Sequence, residues 1–349
     1  MGAATATEAE LAAGVRAVLA EHGEDPGELS LSPIPGGASR ETWLVEGPEQ
    51  RWALRRDPKG SVSLVAMGEE FALIRAAAAA GVPVPEPTAY EPEGGRFGSP
   101  GMLMEFVEGT SVAPRVLRKP EYEPARGRLS DQLAEALARI HTIDPAGLEG
   151  VLPPSPEDPA HGQIEEWERQ LDEIGEPLPA VELGLRWLRA NAPEPAPPRL
   201  VHGDFRLGNL IVDADGLGAV IDWELAHLGD PAEDIGWLCI RSWRFGNDDL
   251  PVAGLGDLNG FLAAYNAAGG EPLDPDRVRY WEVFGNVKWA VICARQAQDH
   301  LSGIRRSHEL ASLGRRICEP EWDLLELIRA TPRAPVPRTA GYEAEEKAD

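Results

Sequence analysis

Cysteine is scarce: Cys239, Cys293 and Cys318 are the only three in 349 residues. Odd in number and far apart, they exclude a disulfide framework and have none of the paired spacings of a zinc site. A reducing cytoplasm is the expected compartment. Also missing are a cationic start followed by an apolar stretch and any strongly apolar run long enough to cross a bilayer. No internal repeat is visible. Basic residues are outnumbered, with 33 Lys and Arg against 58 Asp and Glu and a net charge of −25. That balance argues against nucleic acid and anionic membrane surfaces as partners. It reads as solubility, although it would also steer a cationic substrate inward. Lysine is rare beside arginine, the bias of a GC-rich genome.

What is present suffices for a large core, since 43% of residues are hydrophobic; one two-lobed domain or two ordinary ones fit the length. Residues 5–22 read as an amphipathic helix through Leu11, Val15, Val18 and Leu19. Leu29–Ile34, Thr42–Glu46 and Arg51–Arg56 read as strands, the last two joined by the turn-rich Gly47-Pro48-Glu49-Gln50. A helix over 63–80 stops at Gly81, with Pro83 and Pro85 forbidding continuation, and Met102–Val107 is strand-like. Helical spacing then dominates, at 128–142, 163–174, 180–190, 231–242, 255–268, 275–300 and 306–330. Pro-rich stretches at 151–159 and 193–198 read as surface connections. The expected layout is an N-terminal lobe over 1–107, a helical lobe over 108–331 and a disordered tail over 332–349. A cleft between two such lobes is a common ligand site.

One β-island, 199–223, interrupts the helices. It holds His202-Gly203-Asp204-Phe205-Arg206-Leu207-Gly208-Asn209, then two short apolar strands around Asp213-Ala214-Asp215-Gly216. That turn chemistry predicts an antiparallel hairpin. A turn centred between Asp215 and Gly216 opposes 213/218, 211/220 and 209/222, so Asn209 should face Asp222 with Cα atoms roughly 4.5–5.5 Å apart. An amide oxygen beside a carboxylate suits Mg²⁺, which prefers oxygen ligands. Asp204, on a loop whose Gly203 and Gly208 permit tight turns, can face the same pocket without competing for metal. Phosphoryl transfer needs this division: metal ions neutralise phosphate oxygens while a carboxylate orients the attacking hydroxyl. A bland alternative has the same Asp and Asn capping turns. On residue type alone His202 is a second candidate base.

The segment resembles the Brenner motif of the aminoglycoside phosphotransferase and choline kinase superfamily, distant relatives of protein kinases. His202-Gly203-Asp204 with Asn209 matches its H-G-D-x-x-x-x-N, and Ile221-Asp222-Trp223-Glu224 takes the place of the metal-binding strand end. The wording of both segments is most similar to the branch also found fused to acyl-CoA dehydrogenases, and the resemblance covers roughly residues 28–330. It implies an α+β, bilobal protein-kinase-like fold with a small antiparallel β lobe and a larger helical lobe. It also implies that Asp204 is the base, that Asn209 and Asp222 bind Mg²⁺, and that ATP or GTP is the donor. His202 then becomes a loop-stabilising residue. Asp230 and Asp234 start a helix, and the resemblance gives Asp230 the task of holding the catalytic loop.

On the nucleotide side, Gly36-Gly37-Ala38-Ser39 resembles the family's phosphate loop, with Gly36, Gly37 and Ser39 as contacts. Trp52-Ala53-Leu54-Arg55 stands where kinases place Val-Ala-Ile-Lys. Strand alternation puts Ala53 and Arg55 on one face. Arg55 departs from the usual Lys; arginine binds phosphate bidentately but is not geometrically interchangeable with it. Arg56 reads as solvated. Glu70, with Glu69 as competitor, is the acid expected to fix Arg55. By position, the backbone of Glu105 and Val107 would meet the purine edge. For the acceptor, Trp167, Trp237, Trp243, Trp281 and Trp289 are candidates for a wall as well as for the core, and Arg305-Arg306 and Arg315-Arg316 for an anionic handle or plain surface. The acceptor expected from the branch resemblance is a small molecule, a hydroxyacyl-CoA or hydroxy acid. An aminoglycoside, choline-like or sugar acceptor is the runner-up. A catalytically silent nucleotide-binding module and a hydrolase with His202 and Asp204 as metal ligands are the readings from other classes. The latter lacks further ligands at suitable spacing.

Overall fold

Thr7 starts the first helix, α1 (Glu8–Glu21), through a capping box: its hydroxyl takes the Glu10 amide while the Glu10 carboxylate reaches back to the Thr7 amide. The computed structural model describes residues 7–34, 40–57 and 65–331. Gly36, Gly37, Ser39 and the tail from Pro332 therefore lie outside the described residues, as do the first residues expected in the helices 5–22 and 63–80.

Five antiparallel strands follow: β1 (Ser30–Pro33), β2 (Glu41–Glu46), β3 (Arg51–Arg56), β4 (Pro87–Glu91) and β5 (Gly101–Glu105), in the order β1-β2-β3-β5-β4. Trp52 and Leu54 of β3 pack beneath Leu11, Val15, Val18 and Leu19 of α1. On the other face α2 (Met67–Ala79) buries Met67, Leu73 and Ile74 near Met102 and Met104. Each such side chain taken from water contributes roughly 1.5–3 kcal/mol. β4 is invisible to strand patterning because Pro87 opens it. Proline is tolerated there since β4 is an edge strand, paired only with β5 and with an irregular register between Pro87 and Ala89. Arg56, expected in solvent, is instead buried: Nε bonds Glu41 Oε2 at 2.7 Å and Nη1 bonds the Phe97 carbonyl at 3.0 Å. Strand alternation sends it to the face that α1 and Phe97 cover.

The helical lobe comprises α3 (Ala113–Arg118), α4 (Glu123–His141), α5 (Pro159–Ile174), α6 (Pro179–Ala190), α7 (Ala232–Cys239), α8 (Leu258–Ala267), α9 (Pro275–Ser302), α10 (His308–Leu313) and α11 (Cys318–Ala330). Helix α9 is its axis, packed on α5, α6, α7, α10 and α11. It begins on an Asp274 cap with Pro275 in the first turn and ends at Gly303 in the left-handed conformation, φ 82°. The expected helix 306–330 is two helices. Pro320 has no amide to donate and its ring would strike the carbonyl four residues back, so α11 restarts with Pro320 in its first turn. The expected 231–242 likewise stops at Cys239, because Ile240 turns to ψ 144°. Among the described residues no helix is long and apolar enough to cross a membrane.

Two short sheets complete this lobe: β6 (Arg199–Val201) with β9 (His227–Gly229), and the hairpin β7 (Leu210–Val212) with β8 (Leu217–Val220). The hairpin forms, but its register differs from the expected one. Leu210 faces Val220 and Ile211 faces Ala219, with an irregularity before Val212–Leu217. The Asp213 carboxylate accepts the Asp215 and Gly216 amides at 2.7 and 3.0 Å and draws the turn one residue towards β7. Asn209 is therefore opposite Ile221, whose amide bonds its carbonyl at 3.0 Å, and not opposite Asp222. Asp222 lies one residue beyond, at φ 72°. This left-handed conformation costs a non-glycine residue of order 1–3 kcal/mol and redirects its side chain. The lobes join through a bond from the Val220 amide to Pro83 O at 2.7 Å, and mutual Thr110–Val212 backbone bonds anchor the start of the helical lobe to the hairpin.

Candidate active site

The loop 202–209 leaves β6 and enters the hairpin. Gly203 sits at φ 80°, and a Cβ there would collide with the Leu225 carbonyl, so this position requires glycine. The loop is held from beneath by one carboxylate. Asp234, on the first turn of α7, accepts the His202 and Gly203 amides, both at 2.8 Å. Asp234 is fully buried, which pushes its carboxyl up, yet hydrogen bonds from His141 and the His202 amide outweigh that and hold it below the usual carboxylate range. The loop-holding task expected of Asp230 thus falls to Asp234. Asp230 caps α7 through the Ala232 amide at 3.0 Å and ties it to α9, accepting Arg277 Nε at 2.7 Å and Trp281 Nε1 at 2.8 Å.

A lysine supports the loop from another side. Lys288 of α9 is 2% exposed; its Nζ donates to Gly203 O at 2.6 Å and lies 4.9 Å from the Trp237 ring centroid. Glu233 lies 3.4 Å from it. A cation–π contact shielded from water is worth about 2 kcal/mol. Sequence reading passed over Lys288, although a lone lysine amid the apolar run 283–293 was a usable signal, because unpaired lysine is almost never buried.

His202 is enclosed. Its Nδ1 accepts the Asp204 amide at 3.2 Å, leaving Nε2–H to donate to Ile221 O, also at 3.2 Å. Burial lowers its pKa from the ordinary 6.5, against the opposing pull of Asp234, Asp204 and Asp222. Both ring nitrogens are occupied by backbone, so His202 ties the loop to the strand end that carries Asp222. A folded-state pKa below the unfolded one means that the unfolded chain binds more protons as pH falls. The wild type should then lose stability relative to His202→Gln as pH drops below 6.5, by at most about 1.4 kcal/mol per pH unit. Thermal unfolding of both proteins across that range checks this. The difference is needed because His227 contributes with the opposite sign: burial lowers its pKa, but contact with Glu233 raises it further.

Asp204 projects from the loop with both oxygens engaged. Oδ1 accepts Arg206 Nε at 2.9 Å and Trp237 Nε1 at 2.8 Å, and Oδ2 accepts Asn209 Nδ2 at 2.6 Å. The Asn209 amide nitrogen also bonds Asp204 O at 3.0 Å, which leaves Oδ1 as the free end of Asn209.

Across the lobes runs a line of alternating charges: Asp57, Arg40, Glu70, Arg55, Asp222. Arg40 Nε bonds Asp57 Oδ1 at 2.9 Å and its Nη1 meets Glu70 Oε2. Arg55 Nη1 bonds Glu70 Oε1 at 2.7 Å while Nη2 reaches Asp222 Oδ1 at 3.1 Å. The planar fork of arginine spans two acids at once. Glu70 also takes the Trp223 amide at 3.3 Å, whereas Glu69 caps its own helix through the Ala66 amide at 2.9 Å. Arg40 was missed because no local pattern joins it to Glu70. Ala53 shares the half-exposed face of β3 with Arg55. At the crossing, the Glu105 amide is bonded to Glu86 O at 2.9 Å, so one of the backbone groups expected to meet a purine edge, among those of Glu105 and Val107, is already used.

All five candidate tryptophans are buried. Trp237, Trp243 and Trp289 form one cluster next to Asp204; Trp281 serves Asp230, and Trp167 lies 5.7 Å from Lys288 Nζ. Arg305 pairs with Asp299 and Arg316 with Glu319 on helix surfaces.

A small antiparallel β lobe joined to a mainly helical lobe, with an Asp–Asn loop and an Arg–Glu pair facing the same strand end, defines a kinase-like phosphotransferase fold. The chain belongs to the phosphotransferase enzyme family, whose sequence pattern matches residues 30–281. It is 27% identical over 334 residues to acyl-CoA dehydrogenase family member 10 of Mus musculus, a match covering 88% of this chain and 30% of that one. The chain thus spans about a third of the length of the curated relatives it matches. Among solved structures, a putative aminoglycoside phosphotransferase from Ralstonia eutropha JMP134 superposes with a TM-score of 0.74 at 25% identity, covering 92% of this chain and 99% of that one. The GDP complex of aminoglycoside 2'-phosphotransferase-IIIa shares the fold, with a TM-score of 0.56 at 15% identity and coverage of 91% and 98%.

Proposed function

We propose that the chain is a magnesium-dependent small-molecule kinase that moves the γ-phosphoryl group of ATP or GTP onto an alcohol, with a hydroxyacyl-CoA or hydroxy acid as the acceptor. The observation that carries this reading is that Asn209, bonded to Asp204, is paired through its carbonyl with Ile221, the residue before Asp222, and that Asp222 is bonded to Arg55 and through it to Glu70. The acceptor class is supported by the acyl-CoA dehydrogenase relatives. A neighbour solved with GDP supports a purine nucleotide as donor. A cationic aminoglycoside is the second reading, favoured by the net charge of −25 and by a neighbour solved with kanamycin.

The side chains present fit magnesium. Asn209 spends its amide nitrogen on Asp204 and keeps Oδ1 free, and Asp222 Oδ2 has no hydrogen-bond partner among the described residues. Among those residues no group of three or more His, Cys, Asp or Glu side chains is placed to hold a metal. Two protein oxygens, completed by phosphate oxygens and water, are what Mg²⁺ takes in nucleotide sites. When bound it would neutralise charge on the phosphates. Asp204 accepts the proton of the acceptor hydroxyl as that oxygen bonds to the γ-phosphorus and the diphosphate oxygen leaves. Arg206, Trp237 and Asn209 aim the carboxylate. Arg55, fixed by Glu70, supplies positive charge for the donor phosphates, and the Gly36-Gly37-Ala38-Ser39 loop, outside the described residues, is assigned to the same phosphates.

The test is acceptor-stimulated ADP release, with Mg²⁺ and without, across hydroxy acids, acyl-CoAs, aminoglycosides, choline and sugars. A protein stabilised by nucleotide yet showing no Asp204-dependent turnover with any of them would be a binding module. Two variants probe the donor side. Asp222→Ala should weaken Mg·ATP binding by about tenfold or more, as loss of a metal-ligand carboxylate does; calorimetric binding equal to wild type would remove Asp222 from the metal site. Arg55→Ala should chiefly raise the nucleotide KM, by roughly ten- to a hundredfold for a charge-assisted hydrogen bond. A change confined to kcat would count against it.

A further inference from the structure

We propose that Arg206 is the acceptor-specificity residue, its guanidinium recognising a carboxylate or acyl carbonyl oxygen on the same molecule whose hydroxyl is presented to Asp204. This rests on the reading of Asp204 as the base.

Three observations place Arg206 on the acceptor side. Its Nε bonds Asp204 Oδ1 at 2.9 Å, the oxygen shared with Trp237, whereas Asn209 holds the other oxygen, Oδ2. Arg206 is thus attached at the edge of the base facing the tryptophan cluster, while Asn209 lies at Oδ2. Its guanidinium carbon is 4.9 Å from the Trp243 ring centroid, so the plane is positioned by an aromatic face belonging to the helical lobe. Third, the side chain is 28% exposed, and among the described residues neither Nη1 nor Nη2 has a hydrogen-bond partner. The other arginine of the site, Arg55, has both terminal nitrogens on carboxylates.

A guanidinium presents its donors in a planar fork that matches two oxygens of a carboxylate or one carbonyl oxygen. Held at Nε by Asp204 and stacked on Trp243, the fork of Arg206 is oriented with its outer edge unspent. That reduces the entropy lost when a ligand oxygen binds. An acceptor bearing an oxygen anion or carbonyl near its hydroxyl would engage that edge and bring the hydroxyl beside Asp204. A cationic acceptor would meet like charge there. The two sources of the oxygen, a free carboxylate and an acyl thioester, share this chemistry and are separated by the assay.

The 349-residue protein with Mg·ATP is assayed for ADP release with 2-, 3- and 4-hydroxybutyrate, their coenzyme A thioesters, the diols in which CH₂OH replaces the carboxyl group, choline and kanamycin. The acids or the thioesters are expected to outperform their diols by at least about tenfold in kcat/KM, the scale of one hydrogen bond to a charged group. Arg206→Gln should erase that preference by raising the acceptor KM about tenfold or more, and Arg206→Lys should recover part of it. Diols, choline or kanamycin used as well as the acids and thioesters would overturn the assignment. So would a rise in ATP KM in Arg206→Gln matching the rise in acceptor KM, which would put Arg206 on the donor phosphates. Turnover with kanamycin or choline alone would sink this inference and leave the kinase reading standing. Absence of Asp204-dependent turnover with every compound would sink both.

Discussion

Asp204→Asn is expected to lower acceptor phosphorylation by about a hundred- to ten-thousandfold, the usual contribution of a positioned general base, while nucleotide binding stays near wild type. The change removes the proton acceptor and keeps the shape. It also has a local cost that follows from the hydrogen bonds. Arg206 Nε, Trp237 Nε1 and Asn209 Nδ2 all donate to the carboxylate, on both of its oxygens. An asparagine offers one oxygen and one NH₂, so at least one donor is left facing another donor. Leaving a buried donor unpaired costs about 1–3 kcal/mol, and a modest drop in melting temperature should accompany the loss of activity. Donor binding is spared because Asp222 and Arg55 are not bonded to Asp204 and because Asn209 keeps its bond to the Asp204 backbone carbonyl. The readouts are initial rates of ADP release and the thermal shift on adding Mg·ATP. Activity within tenfold of wild type would remove Asp204 from the base role.

Glu70→Ala should be the most destabilising single change considered, at about 3–5 kcal/mol, the cost of removing one partner from a buried ion pair. Glu70 has no exposed surface, and its side chain holds two guanidinium groups at once. Arg40 is the vulnerable partner. Its side chain is 1% exposed and would retain only Asp57 and the Val65 carbonyl. Arg55, nearer the cleft, would swing fully onto Asp222 and compete with magnesium there, so nucleotide affinity should fall as well. Equilibrium urea unfolding gives the first quantity and Mg·ATP titration the second. In Arg40→Met/Glu70→Ala the stranded charge is gone, and part of the stability should return. A single-variant loss below about 1 kcal/mol would mean that the line of charges is solvated in solution, as weak surface pairs are.

Local chemistry made much of this protein legible. The capping box at Thr7, the Pro275 start and Gly303 stop of α9, and the Asp213–Gly216 turn each act within a few residues, which is why element types and most boundaries could be read directly. Where reading failed, either a neighbour distant in sequence or a local bond that apolar patterning does not show decided. Pro87 opens a strand because β5 lies on one side only. Arg56 is buried because α1 roofs its face, and the helix 306–330 divides because Pro320 cannot sit in a helix interior. The single-residue shift in the hairpin is the sharpest case. Turn chemistry announced a hairpin, but the Asp213 side-chain bonds set its register and left Asp222 to reach the site through a left-handed backbone.

By itself the sequence determined the strand-rich and helical halves and brought Asp204 and Asn209 together, because they are only five residues apart and Gly203 and Gly208 permit the tight turns that fold the segment back. Only the tertiary structure decided that Asp234 holds the loop, that Lys288 lies beneath it, and that Arg55 joins Glu70 to Asp222. Those bonds connect residues from 15 to 167 positions apart. Side-chain charge and hydrogen-bonding capacity are written in the sequence, but the choice among the many possible partners is made only when packing of the two lobes removes water from all but one.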